Sequence, residues 1–232
     1  LTAKELALRF NPFLIVFARY LSQLILLLII FNKQFKTHLK SNHKPLQILR
    51  GALLMITTCF MFTGLAYLQF AENISIYMIG PVITTILAIL ILKEKISFTQ
   101  ILVVIIGLIG ALIIASPNKG AFNYAVIFPF LAALCFAFFT ISTKFLNTSD
   151  SNQTTLLFTA ITGTILSLPF IIYFWKLPNL YDTLLMFCLG LLATVGHFLF
   201  IEALKVINAS FAAPFVYLTV LLAAFWGYIL YN

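Results

Sequence analysis

Apolar runs of about twenty residues recur along nearly the whole chain, separated by short polar links, and that recurrence narrows the possible folds to very few. A helix of about twenty apolar residues crosses the hydrocarbon core of a bilayer. A backbone in lipid must also satisfy its own hydrogen bonds, which a helix does within itself. The runs cover residues 12–31, 46–68, 74–92, 96–115, 123–143, 156–175, 183–206 and 209–231. They predict an all-α polytopic membrane protein of about eight spans. Residues 1–10 are too short and too charged to span, and read as the end of a further helix. The chain is 62% hydrophobic and only 9% charged, with a mean hydropathy of +1.10. A soluble domain carries roughly a quarter charged residues.

The net charge of +8 has a topological reading. If consecutive spans are antiparallel, one side collects Lys33, Lys36, Lys40, Lys44, Arg50, Lys93, Lys95, Lys144 and Lys205. The other collects Lys4, Arg9, Lys119 and Lys176. The first side is then cytoplasmic. No basic stretch is interleaved with aromatics in a polar context, so nucleic acid is not an expected partner. Trp175, Tyr173, Tyr181, Tyr228 and Tyr231 fall near span ends, where amphipathic rings suit the headgroup level. Cys59, Cys135 and Cys188 lie inside apolar runs without metal-ligand spacing, and neither a disulfide nor a metal is expected.

Residues 64–95 make a hairpin: a polar link at 69–73, an apolar run broken by Pro81, and a charged stop at Lys93, Glu94 and Lys95. Residues 202–232 repeat the pattern, with Pro214 inside the run. Aligned on Ala71 and Ala209, Glu94 falls opposite Asn232. The first hairpin turns on the outside and the second on the inside. Two similar units of opposite orientation form an inverted repeat, a common construction in secondary transporters.

With these segments the chain resembles the drug/metabolite transporter superfamily, in its EamA-type branch. The carrying segments are LRGALL (49–54), LKEK (92–95), QILVVIIGLIGALII (100–114), GHFLFIEAL (196–204) and NASFAAPFVYL (208–218). The most specific element is Ala213, Pro214, Tyr217 and Leu218. The resemblance implies two inverted repeats of five transmembrane helices, here 1–118 and 122–232. The first repeat's helix 1 would be cut to a stub and the second would lack helix 10 and the Glu that usually follows its hairpin. It also implies small-molecule transport in an inner membrane, by relatives regarded as S-adenosylmethionine importers or as exporters of amino acids or drugs.

Polar groups inside spans are expensive and mark partners, cavities or substrate. Pro81 and Pro214 each remove a helical hydrogen bond; packing kinks and cavity-lining breaks are both open. His197 is the one histidine within a span, and its charge changes near neutral pH, which suits proton coupling or a substrate hydrogen bond. A histidine satisfied by a neighbouring carbonyl fits equally. Tyr217 and Tyr77 occupy nearly matching places in the two Pro-bearing runs, and a phenol there can bond or stack on a substrate. Tyr77, Pro81, His197, Pro214 and Tyr217 are therefore the cavity candidates. Arg19 reads as structural and Arg50 as a topology anchor at the start of its span. Glu202 reads as reaching the interface beside Lys205. Thr57, Thr58, Thr84 and Thr85 can bond back to their own helices. Gly107, Gly110 and Ala111, with Ala223 and Gly227, suit close packing; a homodimer face is the lesser alternative.

The sequence has no HExxH, GxSxG or phosphate-loop motif, so an enzyme is not expected and no cofactor is called for. The reading is a secondary-active transporter of a small polar metabolite, amino-acid-like or S-adenosylmethionine-like, working by alternating access in the inner (plasma) membrane. A non-transporting membrane scaffold is the alternative.

Overall fold

The computed structural model describes residues 6, 9–68, 70–115 and 124–231. Expectations for residues 1–5, 7 and 8 of the stub 1–10, Lys119 with the turn at 116–120, Gln69, Asn232, and the side chains of Ala71, Ala111, Ala223, Gly227, Tyr228 and Tyr231 lie outside the described residues.

Each apolar run forms helix. In chain order these are α1 (Pro12–Phe31), α2 (Lys44–Tyr67), α3 (Phe70–Tyr77), α4 (Gly80–Leu92), α5 (Phe98–Ala115), α6 (Ile127–Leu146), α7 (Asn152–Phe174), α8 (Leu180–Val206), α9 (Ala209–Ala212) and α10 (Tyr217–Tyr231). Among the described residues six segments are long and apolar enough to cross a membrane: Pro12–His38, Lys44–Tyr67, Glu72–Leu92, Tyr124–Leu146, Asn152–Phe174 and Leu180–Val206. Phe98–Gly110 and Ala209–Leu222 are shorter apolar helices. The protein is a multi-pass, all-helical membrane protein.

Local chemistry sets the ends. The Asn11 side chain accepts from the Phe13 N–H at 3.0 Å, and Pro12 opens α1 where no backbone donor is needed. Ser151 caps α7 by accepting from the Thr154 N–H at 3.2 Å. Pro169 lies inside α7 without ending it.

The two Pro-bearing runs are not single kinked helices. Helix α3 stops at Tyr77, and α4 starts afresh at Gly80 with Pro81 in its first turn. The second run is α9, then a 3₁₀ turn over Ala213–Val216 with Pro214 at its start, then α10. Proline costs little at a first helical position, so each break falls where the missing N–H matters least. Threonines close hydrogen bonds onto their own helices as expected. Thr57 donates to Leu53 O at 2.8 Å, Thr58 to Leu54 O at 3.0 Å and Thr85 to Pro81 O at 2.8 Å.

The chain folds into two compact units, each drawing on both parts of the sequence. One comprises Leu1–Cys59 with Ser142–Lys205, the other Phe60–Ile141 with Val206–Asn232. Two apolar cores form in the first unit among the described residues. One gathers Leu6, Phe10, Leu14, Ile15 and Met186; the other gathers Leu27, Leu156, Leu157, Ala160 and Ile201. Glycines bring its helices close. A Cβ at Gly51 would meet Thr162 Cβ at 2.7 Å, and one at Gly163 would meet the Tyr20 ring at 2.3 Å. In the second unit Met78 and Tyr217 are buried together, with Ile74, Tyr77, Leu108, Val216 and Val220 against them.

Candidate functional site

The sequence candidates divide between the units. Tyr77, Pro81, Pro214 and Tyr217 belong to the second unit, and His197 to the first. The second unit brings its four together, because α4 packs against α9 and the 3₁₀ turn that holds Pro214. Tyr217 sits 7% exposed beside Met78, and Tyr77 flanks the same cluster. Its ring lies 5.9 Å from that of Phe136. Gly107 makes the seat for Tyr217, since a Cβ there would stand 2.3 Å from the tyrosine Cδ2. Gly107 is thus used within its own unit, whereas a Cβ at Gly110 would meet nothing within 4 Å. The Tyr217 hydroxyl is buried with no hydrogen-bond partner among the described residues. A buried hydroxyl left this way asks for a donor or acceptor from elsewhere.

Glu94 carries a role that the hairpin comparison did not reveal. Lys93 ends α4 in the left-handed region at φ 55°, which turns the chain sharply. Glu94 then meets the start of the second hairpin's helix. One carboxylate oxygen accepts from the Ala209 N–H at 2.9 Å. The other accepts from the Ser210 N–H at 3.0 Å and the Ser210 hydroxyl at 2.6 Å. An acidic group on unsatisfied N-terminal donors is favoured by hydrogen bonding and by the helix dipole. We expect Glu94→Ala to cost about 1–3 kcal/mol by stranding those donors. Thermal unfolding of the purified protein in detergent checks it, and a wild-type midpoint would show that the cap contributes nothing.

The first unit holds the polar groups that sequence reading underrated. Arg50 is not a surface anchor: it is wholly buried. Its Nε donates to the Thr143 hydroxyl at 2.7 Å, and its Nη1 donates to the Thr159 hydroxyl and reaches Thr155 O at 3.5 Å. A guanidinium in this position joins α2 to α6 and α7 through one planar fork. Next to it, Gln47 is also wholly buried and donates to Asp150 at 2.8 Å and to the Thr155 hydroxyl at 3.1 Å. Asp150, in the loop before α7, accepts further from the Ser41 hydroxyl and the Asn42 N–H. Burial alone would raise this carboxyl. The donated hydrogen bonds and the charge of His43 outweigh it and hold the group below its ordinary value of 3.8.

Deeper in the same unit stand Arg19, Tyr20 and Gln23 on α1 and His197 on α8. Tyr20 and Gln23 are wholly buried. Arg19 stacks its guanidinium over the Tyr20 ring at 4.5 Å. His197 is half-buried. Glu202, nearer the end of α8, accepts from the Asn152 amide and lies 3.8 Å from Lys205. The signal for this cluster was present in the sequence: Arg19 and Gln23 are four residues apart in an otherwise apolar run, on one helix face.

Comparison with known proteins puts these features in a family. The model of the EamA-like transporter family matches residues 1–116 and again 123–232. The chain is 30% identical to an S-adenosylmethionine uptake transporter of Rickettsia bellii, over 99% of this chain and 79% of that protein. It is 29% identical to a riboflavin transporter of Vibrio cholerae, over 72% of this chain and 57% of that protein. One crystal structure matches with a TM-score of 0.75 at 16% identity, over 96% of this chain and 84% of that one, which shows a shared fold. The chain belongs to the EamA-like transporter family, and is a membrane transporter of small molecules rather than an enzyme.

Proposed function

We propose that the protein is a secondary-active transporter of the inner membrane that moves a small polar metabolite, amino-acid-like or S-adenosylmethionine-like, by alternating access. The observation that carries this reading is the set of buried polar groups within membrane-length helices of the first unit: the Nε and Nη2 of half-buried Arg19, and the fully buried Tyr20, Gln23 and Arg50. Such groups are costly in a bilayer and are kept where a substrate or a pathway uses them. Similarity to S-adenosylmethionine uptake transporters over nearly the full chain supports the same substrate class. The broken hairpin helices support alternating access, since discontinuous helices build transport sites in other inverted-repeat folds. In this reading Tyr77, Pro81, Pro214 and Tyr217 are the substrate contacts of the second unit, and His197 is a separate candidate in the first. The excess of lysine and arginine on one side supports a cytoplasmic placement of that side.

His197 supports coupling to protons, since an imidazole can take and release one near neutral pH. The experiment is uptake into proteoliposomes of the full-length protein, with labelled S-adenosylmethionine and amino acids and an imposed pH gradient. Wild type should accumulate a substrate in response to the gradient, and His197→Gln should abolish the response. Uptake by the variant with unchanged pH dependence would remove His197 from coupling. Uptake no greater than in empty liposomes for every compound would favour the scaffold alternative.

A further inference from the structure

We infer that Arg19 and Gln23 bind the α-amino-carboxylate end of the transported metabolite. This inference rests on the transporter reading above and narrows its substrate class to zwitterions.

The charges of the first unit lead to this site. Its described acids are each engaged elsewhere: Asp182 pairs with Arg9 at 2.9 Å, Asp150 accepts from Ser41 and Gln47, and Glu202 accepts from Asn152. Arg19 lies about 10 Å along α1 from its start, at 1.5 Å per residue. Its Nε and Nη2 are buried without a hydrogen-bond acceptor among the described residues. Gln23, one turn further on the same face, is 0% exposed, and both its amide nitrogen and its amide oxygen are without a partner among the described residues. A guanidinium and an amide on one face of α1, each with unpartnered atoms among the described residues, are complementary to a particular ligand. The guanidinium fork takes a carboxylate through two parallel bonds. The amide nitrogen adds a third donor, and the amide oxygen accepts from an ammonium group.

The neighbouring helix sets the shape of the place. Helix α8 crosses α1 at Gly190, where a Cβ would stand 3.0 Å from Arg19 O and 3.2 Å from Gln23 N. Thr194 and His197 follow on the same face of α8, one and two turns beyond that crossing. Arg19 thus carries, one turn from Gln23, a positive charge that the described acids of the first unit, engaged elsewhere, do not offset. A carboxylate there offsets that charge, and a ligand without one does not. A ligand without a carboxylate, such as a flavin, leaves Arg19 unsatisfied, so the site selects among the kinds of substrate that relatives of this chain carry.

The test compares S-adenosylmethionine with its decarboxylated analogue on the full-length protein, by equilibrium binding in detergent and by proteoliposome uptake. Wild type should bind the decarboxylated compound about tenfold or more weakly. In Arg19→Gln, S-adenosylmethionine should weaken by a similar factor while the analogue does not weaken. Arg19→Lys, which keeps the charge without the fork, should recover part of the loss. Gln23→Leu should weaken both compounds, because it removes the ammonium acceptor they share. Equal wild-type affinity for the two compounds, or parallel losses in Arg19→Gln, would overturn the carboxylate assignment while leaving transport intact. Wild type that neither binds nor moves either compound, nor any of the labelled amino acids, would contradict the substrate class itself, and the inference with it.

Discussion

Arg50→Ala is expected to destabilise the first unit by about 3 kcal/mol, the largest single effect of any side chain considered. The guanidinium is fully buried and links α2 to Thr143 on α6 and to Thr155 and Thr159 on α7. Truncation removes these charge-assisted bonds and opens a cavity that tightly packed helices fill only in part. The threonine hydroxyls lose less, because Thr159 also donates to Thr155 O at 2.7 Å within α7. Arg50→Lys should recover only part of the loss, since one ammonium cannot reproduce a planar fork to acceptors on two helices. The measurement is the unfolding midpoint in detergent, with monodispersity as a second readout. A wild-type midpoint for Arg50→Ala would show that the network does not hold the unit together.

The second large effect is expected at Gly190. Here the obstruction is backbone as well as side chain: a Cβ would stand 2.4 Å from Ser22 Cβ, 3.0 Å from Arg19 O and 3.2 Å from Gln23 N. Side chains can rotate away from such contacts, but a helix backbone must translate. Small residues allow membrane helices this closeness, where dispersion contacts rather than the hydrophobic effect drive association. Gly190→Ala should therefore cost about 1–3 kcal/mol, and Gly190→Leu more. Both should also reduce transport, because α8 would be lifted from the segment of α1 that carries Arg19 and Gln23. Gly196, whose added Cβ meets nothing within 4 Å, provides the control: Gly196→Ala should leave stability unchanged. Equal behaviour of Gly190→Ala and Gly196→Ala, in unfolding and in uptake, would contradict the close crossing.

Much of the helical plan was legible because lipid leaves so few options for an apolar run of spanning length. The start of α1 and the extent of α8 follow from composition and a capping residue. The breaks at Tyr77–Gly80 and Ala213–Val216 were less legible. A proline inside a continuous apolar run signals either a kink or a new start, and only backbone geometry separates them. Glu94 shows a different limit: its partners Ala209 and Ser210 lie more than a hundred residues away, and a charged stop after a span has an ordinary topological explanation. Arg50 shows the same limit more strongly. Position along a span gives depth but not the direction in which a side chain faces. A buried arginine and a topology anchor look alike until Thr143 and Thr159 are seen beside it. For Arg19 and Gln23, spacing on one face was the available clue, and burial gave it meaning.

The central claim is that substrate passes the polar cluster on α1 of the first unit. Substrate protection of a cysteine placed there tests it most directly. In full-length protein with Cys59, Cys135 and Cys188 replaced by serine, Gln23→Cys should react with a small cationic methanethiosulfonate reagent. S-adenosylmethionine should slow that reaction with a concentration dependence matching its transport by the same variant, weaker than in wild type. Reaction at an unchanged rate under saturating substrate, or no reaction at all in a transport-competent protein, would contradict the account.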